Sequence, residues 1–132
     1  RETIDKIPVA DGDDIPFISA VFGVWASASD DVWAVSESGT WLHSDGGSFT
    51  AYASGEEVTL RSVSGLSKKD VWMVGGKGTV IHWDGTGALV EEIAHPVATL
   101  YSVFATPDGE VFAVGDTGTI LQRVKSGTVE SD

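Results

Sequence analysis

Cysteine is absent from the 132-residue chain, so neither a disulfide framework nor a thiolate metal site can hold it together. Basic residues are also scarce, with 8 Lys and Arg against 20 Asp and Glu and a net charge of −12. A field of that sign repels a phosphate backbone and an anionic membrane surface, which argues against a general nucleic-acid binder. The acidic surface reads as solubilising, and a cationic partner is the sharper reading, which charge alone does not establish. No apolar run approaches the roughly 18 residues a membrane helix needs, so no membrane span is expected. No stretch resembles a signal peptide, and the start at Arg1 in place of Met suggests a processed product or a piece of something longer. No segment sustains a helical period. What remains is 42% hydrophobic residues, a folding composition, together with 16 Gly and only 4 Pro, which points to many tight turns.

The chain repeats itself three times. Val32-Trp33-Ala34-Val35 precedes Gly39-Thr40-Trp41-Leu42-His43. Val71-Trp72-Met73-Val74 precedes Gly78-Thr79-Val80-Ile81-His82. Val111-Phe112-Ala113-Val114 precedes Gly118-Thr119-Ile120-Leu121-Gln122. Trp33 and Trp72 are 39 positions apart, and Trp72 and Phe112 are 40 apart. Val21, Leu60 and Leu100 keep the register, as do Val24, Val63 and Val103.

Each repeat parses into four short strands, a to d. Strand a spans 20–25, 60–64 or 100–104, and strand b spans 31–35, 71–74 or 110–114. Strand c spans 40–43, 79–83 or 119–123. The weaker strand d spans 49–53, 89–94 or 128–130. The b strands are rich in β-branched and aromatic residues. Asp, Ser and Gly fill the a-to-b turns, and Gly39, Gly78 and Gly118 end the b-to-c turns, where a left-handed residue suits a short hairpin. Four antiparallel strands per repeat of about 40 residues predict an all-β fold of β-propeller blades. Blade 1 covers 18–58, blade 2 covers 59–98 and blade 3 covers 99–132. Trp33, Trp72 and Phe112 are expected between blades, where burying such a ring is worth roughly 2–3 kcal/mol.

Asp70-Val71-Trp72-Met73-Val74-Gly75 and Gly78-Thr79-Val80-Ile81-His82-Trp83-Asp84-Gly85 resemble the "DVWAVG…GTILHWDG" repeats of bacterial β-propellers. Ser44-Asp45-Gly46-Gly47-Ser48-Phe49 resembles a degenerate Asp-box, the sialidase-type (BNR) repeat turn between strands c and d. The resemblance covers roughly residues 18–123 and departs from the Asp-box in repeats two and three. It implies an extracellular, periplasmic or cell-surface setting. It is nearly silent on activity, since propellers host many unrelated functions. Sialidase chemistry would need an arginine triad, and no matching motif surrounds Arg1, Arg61 or Arg123.

Propellers close with about four to eight blades, so three blades make an incomplete ring. The alternating segment 3–9 reads as an orphan strand d of a preceding blade, and residues 11–14 as a loop before strand a. The end blades would then expose apolar faces and unpaired edges. Closure is expected through self-association, for instance a six-bladed homodimer, or through a second chain that supplies the missing blades.

Residues that break the repeat are the better site candidates. Trp25 stands where Ser64 and Phe104 stand, and Trp83 where Ser44 and Arg123 stand. Either Trp would stack on a sugar or anchor a partner, and the competing reading is packing against a neighbouring blade. Trp41, in the place of Val80 and Ile120, reads as core. His43 and His82, with Gln122 in the third place, read as a structural hydrogen bond repeated at blade spacing. Glu37, Lys77 and Asp116 are charged tips of b-to-c turns, where recognition would live. His95 lies in a d-to-a loop, without an evident partner. Asp11, Asp13 and Asp14 are weak calcium candidates that lack EF-hand spacing, and the competing reading is a solvated acidic loop.

No nucleophile–base pair, phosphate loop or metal constellation is evident. The expected function is therefore a non-catalytic interaction module that binds a protein partner, with no cofactor. A lectin-like, carbohydrate-binding propeller is the alternative, and part of a propeller hydrolase or lyase is third.

Overall fold

The computed structural model describes residues 3, 7, 9–10, 18–91 and 98–123. Twelve strands run through the described residues, in three sheets that follow one another along the chain. The first sheet holds β1 (Val9–Ala10), β2 (Val21–Ala28), β3 (Asp31–Ser36), β4 (Thr40–Ser44) and β5 (Phe49–Ala53). The second holds β6 (Leu60–Ser67), β7 (Asp70–Gly75), β8 (Val80–Trp83) and β9 (Ala88–Val90). The third holds β10 (Leu100–Ala105), β11 (Val111–Gly115) and β12 (Ile120–Gln122). Within each sheet the strands from β2, β6 and β10 onward are antiparallel and lie in sequence order, as in a propeller blade. Among the described residues, no helix is long and apolar enough to cross a membrane.

The first strand of each blade pairs with the second at matching register. Trp25 faces Trp33, Ser64 faces Trp72 and Phe104 faces Phe112. In blades 1 and 2 this first strand runs on to Ala28 and Ser67, past the end expected from the sequence. A bulge near each end, between Ala26 and Ala28 and between Gly65 and Ser67, lets it continue into the turn. Residues 128–130, expected as a last strand, lie outside the described residues.

Of the segment 3–9 expected as an orphan outer strand, only Val9 lies in a strand among the described residues. Val9 and Ala10 pair in parallel with Phe49 and Thr50, on the outer strand of blade 1 itself. They cover that edge as a fifth strand.

Alternation along each strand sends one set of side chains to each face, and the blades stack through these faces. Trp33, Val35 and Trp41 of blade 1 meet Leu60, Val63, Val71, Met73 and Ile81 of blade 2 in one core. Trp72 and Val74 of blade 2 meet Leu100, Val103, Ala105, Val111 and Ala113 of blade 3 in the next. Trp33 and Trp72 are thus buried between blades, as their spacing implied, with 2% and 7% of their surface exposed. Phe112 is the correction. It is half-buried on the outward face of blade 3, and no further blade covers it among the described residues.

The b-to-c hairpins use two consecutive left-handed residues rather than one. Ser38 and Gly39 have φ of 58° and 66°, Lys77 and Gly78 58° and 69°, Thr117 and Gly118 60° and 71°. The amides of Thr40, Thr79 and Thr119 donate back to the carbonyls of Glu37, Gly76 and Asp116. That is the type I′ geometry, whose twist matches that of the strands it joins. Gly39 is doubly constrained, since a Cβ there would stand 1.7 Å from the carbonyl oxygen of Glu56.

Candidate functional site

Polar groups at matching positions of the repeat are hydrogen-bonded in each blade, from buried in blade 1 to exposed in blade 3. In blade 1 the Asp31 carboxylate accepts from Ser27 Oγ at 2.5 Å and Trp33 Nε1 at 3.2 Å, and lies 2.7 Å from His43 Nε2. Burial opposes ionisation of Asp31, but the bonds from Ser27, His43 and Trp33 outweigh it and hold the carboxyl below its ordinary range. In blade 2, Asp70 Oδ1 takes His82 Nε2 at 2.7 Å and Trp72 Nε1 at 2.9 Å. Blade 3 substitutes Gln122 Nε2 donating to Glu110 at 3.0 Å. His43, His82 and Gln122 therefore serve the structural bond that their repetition suggested. Each ties the second strand of its blade to the third.

Three candidate tips behave differently from expectation. Glu37 is engaged: its carboxylate accepts from the amides of Ser19 and Ala20, each at 3.0 Å, and from the Ser19 hydroxyl. The Ser36 hydroxyl lies between this carboxylate and the Ala20 carbonyl. The Ser19 hydroxyl, then its amide, hold the Glu37 carboxyl down at about 2. Glu37 thus moors the start of β2 to its own turn. Asp116 occupies the same turn position in blade 3 and receives a long bond from Tyr101 Oη at 3.4 Å. Lys77 is exposed, but it stands one position further on, in register with Ser38 and Thr117. The three charges are therefore not equivalent positions of one recognition ring. His95, Asp11, Asp13 and Asp14 lie outside the described residues.

The b-to-c turns and the inter-blade loops do share one end of the blades. Gly39 donates to the Val58 carbonyl at 2.5 Å, Gly76 to Thr59 at 3.1 Å and Asp116 to Thr99 at 3.0 Å. Beside this end runs a row that the sequence reading passed over. Phe22, Arg61 and Tyr101 occupy matching positions on β2, β6 and β10, and all three are exposed. The Arg61 guanidinium carbon lies 5.9 Å from the Phe22 ring centre and 5.3 Å from that of Tyr101. It makes no ion pair among the described residues. The repeat register already places these three in line, one residue after Val21, Leu60 and Leu100.

Trp25 proves to be packing. It is half-buried against the core between blades 1 and 2, over Gly65. Trp83 packs against the same core, and its Nε1 donates to the Lys68 carbonyl at 3.2 Å. It also walls a cleft of about 370 Å³ between blades 1 and 2, lined by Asp31, Trp33, Trp41, His43, Tyr52, Lys68, Lys69, Trp83 and Gly85. Trp41 is core, as read, and a wall of this cleft as well. Tyr52, Lys68 and Lys69 were not singled out from the sequence. Each is unremarkable alone, and only blade stacking brings them together.

No protein-family model matches the chain, nor does any curated protein sequence. Its fold matches YCF48 bound to a D1 peptide, with a TM-score of 0.67 and 18% identity over 89% of this chain and 43% of that one. It also matches virginiamycin B lyase from Staphylococcus aureus, with a TM-score of 0.59 and 14% identity over 83% of this chain and 42% of that one. The chain spans less than half the length of either neighbour. These neighbours are β-propeller proteins, and the likeness establishes that the chain is three consecutive blades of a β-propeller.

Proposed function

We propose that the chain is a non-catalytic interaction module, the assembling part of a larger propeller that binds a protein partner. One observation carries this reading: the face buried twice inside the chain is uncovered on blade 3 among the described residues. Trp33, Val35 and Trp41 are covered by blade 2, and Trp72 and Val74 by blade 3. On blade 3 their counterparts Phe112, Val114 and Ile120 lie beside Phe104 on the outward face, with Phe104 60% and Ile120 72% exposed. Ser102 adds a polar match. Its counterpart Ser62 accepts the Val103 amide of the next blade at 3.1 Å, and Ser64 accepts that of Ala105 at 3.1 Å. A blade-like surface that offers an apolar face and a backbone amide donor to Ser102 fits this position.

A second copy fits the count, because two sets of three blades close a ring within the usual range of four to eight. The protein partner would then meet the exposed Phe22–Arg61–Tyr101 row. That YCF48 is seen bound to a peptide supports this part of the reading. The polar groups best suited to chemistry, Asp31, His43, Asp70 and His82, are occupied in bonds that repeat from blade to blade. This supports the non-catalytic reading.

Multi-angle light scattering on the chain at micromolar concentration tests the assembly. The expected result is a dimer mass, falling to the monomer mass of 13.8 kDa in Phe104→Asp and Ile120→Asp. A stable, folded wild-type monomer would sink the idea.

A further inference from the structure

We infer that the aromatic cleft between blades 1 and 2 binds a carboxylate-bearing sugar, such as one uronate residue of an acidic glycan. Three rings of blade 1 form a ladder: Trp33 and Trp41 stack at 5.4 Å, and Trp41 and Tyr52 at 4.5 Å. From blade 2, Trp83 leans on them at 5.6 Å from Trp33 and 5.7 Å from Trp41, tilted by 51° and 52°. The cleft that remains, about 370 Å³, is of the size that takes one small ligand.

Three of the residues that build it, Trp41, Tyr52 and Trp83, stand where the repeat breaks. At the junction of blades 2 and 3 the counterparts of Trp41, Tyr52 and Trp83 are Val80, Glu91 and Arg123. There the guanidinium of Arg123 lies 5.1 Å over the Trp72 ring and fills the corner. The fold therefore does not require an aromatic cleft at a blade junction. Blades 1 and 2 form one through side chains that the scaffold leaves free to vary.

The chemistry of the lining selects the ligand. A pyranose ring has apolar C–H faces and a polar edge, which matches aromatic walls with polar groups beside them. Asp31 and His43 supply a polar pair in the cleft. Lys68 and Lys69 add two exposed ammonium groups without an ion pair among the described residues, on a chain of net charge −12. The Asp31 carboxylate is taken up by Ser27, Trp33 and His43, so the two adjacent cations favour a carboxylate over a neutral sugar. An extended peptide fits less well. Strand addition needs a free sheet edge, and at Phe49 and Thr50 the edge of the cleft's outer strand is taken by Val9 and Ala10.

Tryptophan fluorescence gives a direct readout, since three of the walls are indoles. Titration of the whole chain with trigalacturonate is expected to saturate, and titration with cellotriose is not. Trp83→Ala should abolish the response. Because that indole also supports the core, the exposed-site variants Tyr52→Ala and Lys68→Ala/Lys69→Ala are measured by calorimetry as well. Each is expected to weaken trigalacturonate at least tenfold while leaving the unfolding midpoint within a degree or two. Failure of trigalacturonate to bind, equal binding of cellotriose, affinity unchanged in the double lysine variant, or tighter binding of a hexaglutamate peptide would each overturn the inference. None of these outcomes depends on how the ring closes.

Discussion

The indole of Trp25 lies so close over Gly65 that a Cβ at position 65 would stand 2.7 Å from Cη2 of the ring and 2.8 Å from Cζ3. The Asp70 carbonyl oxygen would be 2.8 Å away on another side. A methyl group there must push the ring, the strand or both. Gly65→Ala is expected to destabilise the chain by roughly 1–3 kcal/mol, as overpacking does. In a Trp25→Ala background the same change should cost measurably less, because one of the two collisions is gone. Urea unfolding of the wild type and the three variants of this cycle measures the difference, and an additive cycle would show that the ring contact is not the cause.

The Asp–His–Trp network should matter in proportion to what each blade buries. Asp70→Ala takes the partner from the Trp72 indole N–H and from His82 Nε2, whose Nδ1 still faces Glu91 at 3.6 Å, and Asp31→Ala takes it from Trp33, His43 and Ser27. Each is expected to cost roughly 1–3 kcal/mol. Glu110→Ala removes the exposed bond from Gln122 and should cost less than either. The Asp31 pKa is depressed in the folded state, so its contribution is present above the usual carboxylate range and fades as pH falls through the lower folded value. The acid limb of the unfolding curve should therefore flatten in Asp31→Asn. An unchanged limb would remove Asp31 as its source.

Glu37 gives a second and more local pH prediction. Its carboxyl titrates at about 2 when folded, against 4.5 for an ordinary glutamate. The mooring of Ser19 and Ala20 is thus fully present above about pH 4.5 and is lost only as pH falls through about 2. Amide exchange at Ser19 and Ala20, corrected for intrinsic rates, should stay slow at pH 3.5. In Glu37→Gln, which keeps one acceptor oxygen but loses the charge, those two amides should exchange faster at every pH. Equal exchange in both proteins would show that another contact holds the segment.

The blades were legible in the sequence because each strand repeats its chemistry at the same offset. Trp33 and Trp72, the three Gly-ended turns and the His43–His82 correspondence all follow from register alone. The cleft was not legible, since Trp41 and Tyr52 of one blade meet Trp83 and Lys69 of the next only through the angle at which two sheets stack. The mooring made by Glu37 is hidden for a related reason. A charge at a turn tip points to solvent by default, and nothing local announces that Ser19 and Ala20 return to meet it. Alternation over residues 3–9 identifies a strand but not its neighbour, so the pairing of Val9 with Phe49 is not legible there.

The second residue of each b-to-c turn carries avoidable strain. Ser38, Lys77 and Thr117 all sit near φ 58–60°, where non-glycine residues are uncommon and β-branched ones are disfavoured most. Asparagine tolerates this region, and Asn-Gly is the preferred pair for a type I′ turn. Thr117→Asn should therefore stabilise the chain by about 1 kcal/mol, a rise in Tm of roughly 3–5 °C. Lys77→Asn should gain less, because Lys lacks the branch at Cβ. Both side chains are exposed, so no core packing is disturbed. The Thr117 hydroxyl does donate to the Asp116 carbonyl at 2.5 Å, which sets the loss against the gain. Relief of the branched side chain should win, since that bond faces water and is worth little there. Differential scanning calorimetry of the two variants decides it, and a lower Tm for Thr117→Asn would mean that the hydroxyl holds the turn.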